Sequence, residues 1–216
     1  MLTEIPVRLC IFDLDHTLVS SSLDLAAMAV DMRTLIEREL GPLPERPERY
    51  RVGELIAHCQ RAAPALEPRV WALALAHEQR ALADAALEPG ALEAVTGARA
   101  RGFATAVWTN NARVCTVHVL EQLALAPHFD LVITRDDFRR LKPDPDGFRV
   151  IRERLPRLTE AVVVGDSWVD GLAARAAGLP FIAYRADERE LARHGVVPRA
   201  RLTALSDLPP LLDAGA

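Results

Sequence analysis

The sequence predicts an α/β protein, a doubly wound parallel sheet interrupted near its start by an inserted all-helical domain. Short apolar runs recur at strand length, and each is followed by a helical pattern, the alternation that builds βαβ units and a sheet covered on both faces. The alternation lapses once, between about residues 20 and 88, where apolar residues return at helical spacing. A chain of 216 residues, 50% of them hydrophobic, can also bury a full core, as one domain or one domain carrying an insertion.

Taken in order, the first run is VRLCIF at 7–12, a buried strand that ends in the polar cluster Asp13, Asp15, His16 and Thr17. The insertion comes next. Leu25, Met28, Met32, Leu35 and Ile36 fit one helical face, and Val52, Leu55, Ile56 and Cys59 fit another. An Ala-rich stretch from Leu66 to Leu87 is predicted as a third helix, with prolines from Pro42 to Pro89 marking the boundaries. The methionines of these stripes are expected to be core packing. The Pro-rich link at 41–53, which carries Arg46, Arg49 and Arg51, is expected to be a solvated connection. Strands resume at FATAVW (103–108), LVIT (131–134), AVVVG (161–165) and FIAY (181–184). The predicted domains are therefore a core of residues 1–19 and 89–216 and a helical cap of residues 20–88.

Bulk properties exclude several function classes. A net charge of -4 argues against a broad basic surface for nucleic acid, so a small partner is expected. Cys10, Cys59 and Cys115 are odd in number and lack CxxC spacing, which suggests neither a disulfide framework nor a zinc site. No apolar stretch approaches the ~20 residues that span a bilayer, and no secretory leader pattern opens the chain, so a cytoplasmic protein with no membrane partner is expected. Neither GxxxxGK[ST] nor GxGxxG occurs, which leaves nucleotide-driven and dinucleotide chemistry without support.

In an open parallel sheet, ligands bind outside the carboxyl ends of the strands, where strand order reverses. The residues there are Asp13 and Asp15 after the first strand, Thr109, Asn110 and Asn111 after the second, and Asp166, Ser167 and Asp170 after the fourth, with Lys142 in the loop beyond the third. An acid pair alone is weak evidence, since Asp also begins turns and caps helices. Three or more carboxylates at one crevice repel unless a cation neutralises them, and hard oxygen donors favour Mg²⁺ over zinc. A Mg²⁺ site beside a lysine and a threonine hydroxyl is complementary to a phosphoryl group. Lys142 is also the only lysine in the chain, all the other basic residues being arginine. A compact ammonium suits a pocket that a wide planar fork does not.

These residues resemble the haloacid dehalogenase superfamily, in its phosphoglycolate-phosphatase-like branch with a helical C1-type cap. DLDHT is similar to the family's DxDxT, VWTNN to its strand-end Thr/Ser, LKPDPDGF to its Lys-Pro loop, and VVVGDSWVDG to its GDSxxD, all in order along almost the whole chain. The resemblance implies a Rossmann-like core and a Mg²⁺-dependent phosphatase acting on a small phosphorylated metabolite. It implies Asp13 as nucleophile forming an aspartyl-phosphate, Asp15 as acid and then base, and Thr109 and Asn110 as phosphoryl-orienting groups. Lys142 would screen Asp13 and the phosphate. Asp13, the Asp15 carbonyl and Asp166 would hold the metal, with Asp170 a ligand or its supporting partner. Asp15 distinguishes the chain from true dehalogenases, which lack an acid there. His16 stands where relatives most often carry Gly and is a candidate substrate or loop contact, with Thr17 and Ser167. A phosphosugar mutase would share the same motifs, and a phosphorylation-controlled binding module would share the Asp and Lys. The exact substrate and the oligomeric state stay open.

Overall fold

In the computed structural model, which describes residues 6–213, the chain divides into two compact units. One holds the residues up to Ser21 and from Ala85 on, and the other is Ser22–Asp84. Residues 1–5 and 214–216, the outer ends of the predicted core, lie outside the described residues.

Along the chain, β1 (Val7–Phe12) is followed by the short β2 (Val19–Ser20), then by helices α1 (Leu25–Leu40), α2 (Val52–Ala62) and α3 (Glu67–Ala81), then by β3 (Ala86–Leu87), which pairs antiparallel with β2. The remainder alternates: α4 (Ala91–Ala100), β4 (Phe103–Trp108), α5 (Arg113–Gln122), β5 (Leu131–Ile133), α6 (Asp146–Arg154), β6 (Leu158–Gly165), α7 (Trp168–Ala176), β7 (Phe181–Tyr184), α8 (Glu188–Arg193), β8 (Ala200–Leu202) and α9 (Leu208–Asp213). The main sheet is six-stranded and parallel throughout, in the order β5-β4-β1-β6-β7-β8. Strand order reverses beside β1, so a ligand crevice is expected at its carboxyl end.

The strand β1 reads as an unbroken apolar run because both of its faces are covered. Leu9 and Ile11 pack with Ala106, Trp108, Ile133, Val163 and Phe181, together with Phe148 and Ile151 of α6 and Ala173 of α7. Cys10 and Phe12 are equally buried on the opposite face, where Phe12 meets Phe129 edge-on at 6.2 Å. Burying each such Leu, Ile or Phe contributes about 1.5–3 kcal/mol. The register pairs Phe12 with both Val107 and Val164, so the carboxyl ends of β1, β4 and β6 finish almost level.

The helical unit buries Met28, Met32, Leu35 and Ile36 of α1 against Leu55, Ile56 and Cys59 of α2 and Val70 and Ala74 of α3. Leu25, predicted on the same stripe, is exposed. Asp24 caps α1 by accepting from the Ala26 and Ala27 N–H groups, both at 2.9 Å. In the Pro-rich link, Arg46 binds Glu54 at 2.5 Å and the Arg49 carbonyl at 2.9 Å and stacks on Tyr50, so this arginine is engaged in holding its own loop.

Two elements depart from expectation. The third α-helix stops at Ala81 instead of reaching Leu87: the chain tightens into a 3-10 turn over Leu82–Asp84, where the Asp84 side chain accepts from the Ser22 N–H and hydroxyl, and then pairs as β3 with β2, with the Glu88 N–H donating to the Leu18 carbonyl. The strand β8 is an addition. It pairs with β7 alone and buries only Leu202, too little apolar patterning to announce a strand.

Candidate active site

Four of the predicted residues converge at the carboxyl ends of β1 and β6. Asp13 follows β1, and its N–H still donates to the Val164 carbonyl of β6 at 2.9 Å, which pins the first acid to the neighbouring strand. Asp166 follows β6, and Asp170 lies in the first turn of α7. Each of the three acids offers an oxygen within 4.8 Å of the other two. Lys142 comes in from the loop before α6, 4% exposed in its side chain, and its Nζ donates to Asp13 Oδ1 at 2.5 Å and to Asp170 Oδ1 at 2.6 Å.

Local geometry explains why these positions hold these residues. Ser167 caps α7 and donates from its hydroxyl to Asp170 Oδ2 at 2.5 Å, so Asp170 is fixed through both oxygens. Gly165 leaves room for that acid: a Cβ there would come within 2.6 Å of Asp170 Cβ and Cγ. Lys142 is set by its own loop, where Arg140 binds Asp146, and by Asn110, whose Oδ1 accepts from the Lys142 N–H at 2.9 Å while Nδ2 donates to the Lys142 carbonyl at 3.2 Å. Below it, the Trp108 ring centroid lies 5.7 Å from Nζ.

The remaining predicted residues are placed as follows. Asp15 is not one of the three clustered acids; its Oδ2 accepts from Asn111 Nδ2 at 2.6 Å. Thr109 is buried after β4, its N–H bonded to the Ile133 carbonyl and its Oγ1 accepting from the Asn111 N–H at 3.1 Å. Asn110, predicted to orient phosphate, has its side chain bonded to the Lys142 backbone. Thr17 is fully buried, and its hydroxyl has no hydrogen-bond partner among the described residues. His16 is exposed with φ 56°, the left-handed region that costs a non-glycine residue roughly 1–2 kcal/mol. This conformation gives glycine at the same position a physical reason. The sequence places Asn111 at the strand end but assigns it no role, since nothing in TNN separates the tasks of its two asparagines.

Electrostatics mark the acids as a site that wants positive charge. Burial raises the Asp13 carboxyl to about 7, with repulsion from Asp170 and Asp15 outweighing the help of Lys142. Burial, then Asp170 and Asp13, raises Asp166 to about 9. Burial also works against the Lys142 charge, but Asp13 and Asp170 more than compensate and hold the ammonium above its ordinary range. The Asp166 carboxylate accepts no side-chain or backbone hydrogen bond from another described residue, so its oxygens are available to a cation. An all-oxygen donor set with one carboxylate that no other described residue engages fits a hard divalent ion.

Stability should respond accordingly. Both carboxyls bind protons more tightly folded than unfolded, where the value is about 4, so the folded state loses stability as pH rises from about 4 toward 7 for Asp13 and 9 for Asp166. Lys142 stays charged in both states across this window. In chelator, urea midpoints are expected to fall from pH 5 to pH 9, and millimolar divalent cation should restore most at pH 9. A midpoint insensitive to cation at pH 9 would contradict the site.

A parallel sheet that gathers three acids and a buried lysine at the ends of its central strands has the build of a hydrolytic α/β enzyme. The chain belongs to the haloacid dehalogenase-like hydrolases, whose family model matches residues 7–178. It is 33% identical over 187 residues to a phosphoglycolate phosphatase of Rhodospirillum rubrum, covering 80% of this chain and 77% of that protein. It is 27% identical over 212 residues to a phosphoglycolate phosphatase of Rhodobacter capsulatus, covering 94% and 95%. Among solved structures, a hydrolase from Pseudomonas syringae superposes with a TM-score of 0.70 at 22% identity, covering 97% of this chain and 99% of that one. A HAD-superfamily hydrolase, subfamily IA, from Geobacter sulfurreducens gives 0.62 at 23%, covering 95% and 99%. The latter two show the shared fold. No helix among the described residues is long and apolar enough to cross a membrane.

Proposed function

We propose that the chain is a Mg²⁺-dependent phosphatase that hydrolyses a small phosphorylated metabolite through a phosphoaspartate on Asp13. The observation that carries this is the Lys142 ammonium bridging Asp13 and Asp170 beside Asp166, a constellation with too many acids for its one cation. Asp13, Asp166 and the Asp15 carbonyl would hold the metal, with Asp170 oriented behind them. When bound, the metal supplies positive charge that offsets the acids and the incoming phosphoryl oxygens.

Asp13 attacks phosphorus while the ester P–O bond breaks, and the departing oxygen takes a proton from Asp15. Water then attacks the phosphoaspartate, Asp15 takes back a proton, and the Asp13 carboxylate is released with phosphate. Lys142 stays within reach of Asp13 throughout and stabilises charge on it and on the phosphoryl group. Thr109 and the Asn110 main chain orient the phosphoryl oxygens. The names of the relatives support a small phosphorylated acid, and phosphoglycolate is the first candidate.

The test is phosphate release from a panel of monophosphates containing phosphoglycolate, sugar phosphates and nucleotides. Release is expected with Mg²⁺ and is expected to stop in chelator. Release from none of them, or release indifferent to the cation, would overturn the proposal, and turnover only with a bisphosphate primer and no net phosphate would point to a mutase.

A further inference from the structure

We propose that Asn111 is a positioning residue that presents Asp15 to the leaving group, an assignment that rests on the phosphatase reading above. Besides its own main-chain N–H, the Asp15 carboxylate accepts from Asn111 Nδ2 at 2.6 Å, and this bond joins residues 96 positions apart. Asn111 is itself held from both sides of its backbone. Its N–H donates to Thr109 Oγ1 at 3.1 Å, and its carbonyl accepts from the Arg135 N–H at 3.1 Å. Thr109 is anchored in turn by the N–H bond to Ile133 of β5, so the sheet sets where the amide of Asn111 points.

The partner needs such support. Asp15 sits next to His16 in its left-handed turn, outside the acid cluster, and Lys142 donates to Asp13 and Asp170 instead. The Asn111 donor on Oδ2 fixes the carboxyl plane and so aims the proton that the ester oxygen takes as the P–O bond breaks. In this step an Asp13 oxygen bonds to phosphorus as the ester P–O bond breaks, the electron pair of the broken bond goes to the ester oxygen, which takes up the proton from Asp15, and Asn111 keeps its bond to the Asp15 carboxylate that remains.

The neighbouring asparagine provides an internal contrast. Asn110 makes two hydrogen bonds to the Lys142 backbone, so it acts on the group that stabilises the phosphoryl charge rather than on the proton donor. Two adjacent amides thus serve two different halves of the reaction, and substrates can tell them apart. An alkyl monophosphate needs an acid to release its alkoxide, whereas p-nitrophenyl phosphate releases an acidic phenol with little help.

The experiment compares kcat/KM on these two substrates for the wild-type enzyme, Asn111→Ala and Asn110→Ala, with Asn111→Asp as an isosteric second variant that lacks the donor. For Asn111→Ala, kcat/KM on the alkyl substrate is expected to fall on the order of 10- to 100-fold, with a far smaller loss on the nitrophenyl ester. Asn110→Ala should lose about equally on both. Equal losses on the two substrates for Asn111→Ala, or no loss on either, would overturn the assignment. Should the alanine variant not fold, Asn111→Asp must show the same leaving-group dependence or the assignment falls. A wild-type protein inactive on both substrates would instead refute the phosphatase reading.

Discussion

Replacing Asp13 with asparagine is expected to reduce phosphate release by on the order of 10⁴-fold or more while leaving a folded protein. The amide cannot form a phosphoaspartate, and no second carboxylate is placed to substitute: Asp170 is fixed through both oxygens by Lys142 and Ser167, Asp15 lies outside the acid cluster and is bound to Asn111, and Asp166 would be committed to the metal. The fold should tolerate the change because the substitution removes one of several mutually repelling buried charges, and the carboxamide oxygen can still accept from Lys142 Nζ. Thermal melts should therefore shift by only a few degrees. The nucleophile can also be read directly. Borohydride added during turnover reduces an acyl phosphate to an alcohol, so mass spectrometry of wild-type peptides should find homoserine at position 13. Activity surviving in Asp13→Asn, or homoserine appearing at another acid, would refute the assignment.

How far the sequence anticipates the molecule depends on what each element asks of its side chains. Parallel strands buried on both faces leave continuous apolar runs, and VRLCIF and FATAVW coincide with β1 and β4 from end to end. An edge strand with one buried residue, such as β8, leaves no such trace. The α/β class needed only the alternation of runs. The segment Leu82–Leu87 has helical propensity, yet only Leu82–Asp84 stay helical, as a 3-10 turn, and the cross-strand hydrogen bonds of Ala86–Leu87 with β2 outcompete a further turn.

The site follows the same logic. Asp13 and Lys142 are 129 residues apart and still meet, because Asp13 follows β1 directly and Lys142 lies in the loop that leads from the carboxyl end of β5 to α6. Motif and strand position are enough to bring together the four groups of the cluster. They do not reveal the division of work within Thr109, Asn110 and Asn111, three consecutive polar residues whose directions are set by the turn after β4. The sequence assigns phosphoryl orientation to Asn110 without saying which of its groups acts, and only the bonds to the Lys142 backbone reveal what its side-chain amide holds.

Replacing Lys142 with methionine should be the most destabilising single change at the site, by about 3–5 kcal/mol near pH 8, since it breaks a buried ion pair from one side. The ammonium is almost fully buried between Asp13 and Asp170, and methionine fills its volume without supplying charge. Three acids would then face one another unneutralised. Because protonation relieves this repulsion, the deficit relative to wild type should shrink at pH 5, where carboxyls already raised by burial are largely protonated. Divalent cation should recover part of the loss at pH 8 by replacing the missing charge, although activity should not return. Arginine should fail to rescue, because a planar fork cannot occupy a position where one nitrogen lies 2.5 Å and 2.6 Å from two separate carboxylates under a tryptophan ring. That geometry accounts for the single lysine in a chain otherwise built with arginine. Urea unfolding of both variants at pH 5 and pH 8, with and without Mg²⁺, measures all of these effects. A Lys142→Met protein within about 1 kcal/mol of wild type at pH 8, or an arginine variant as stable as wild type, would show that the lysine does not hold this cluster together.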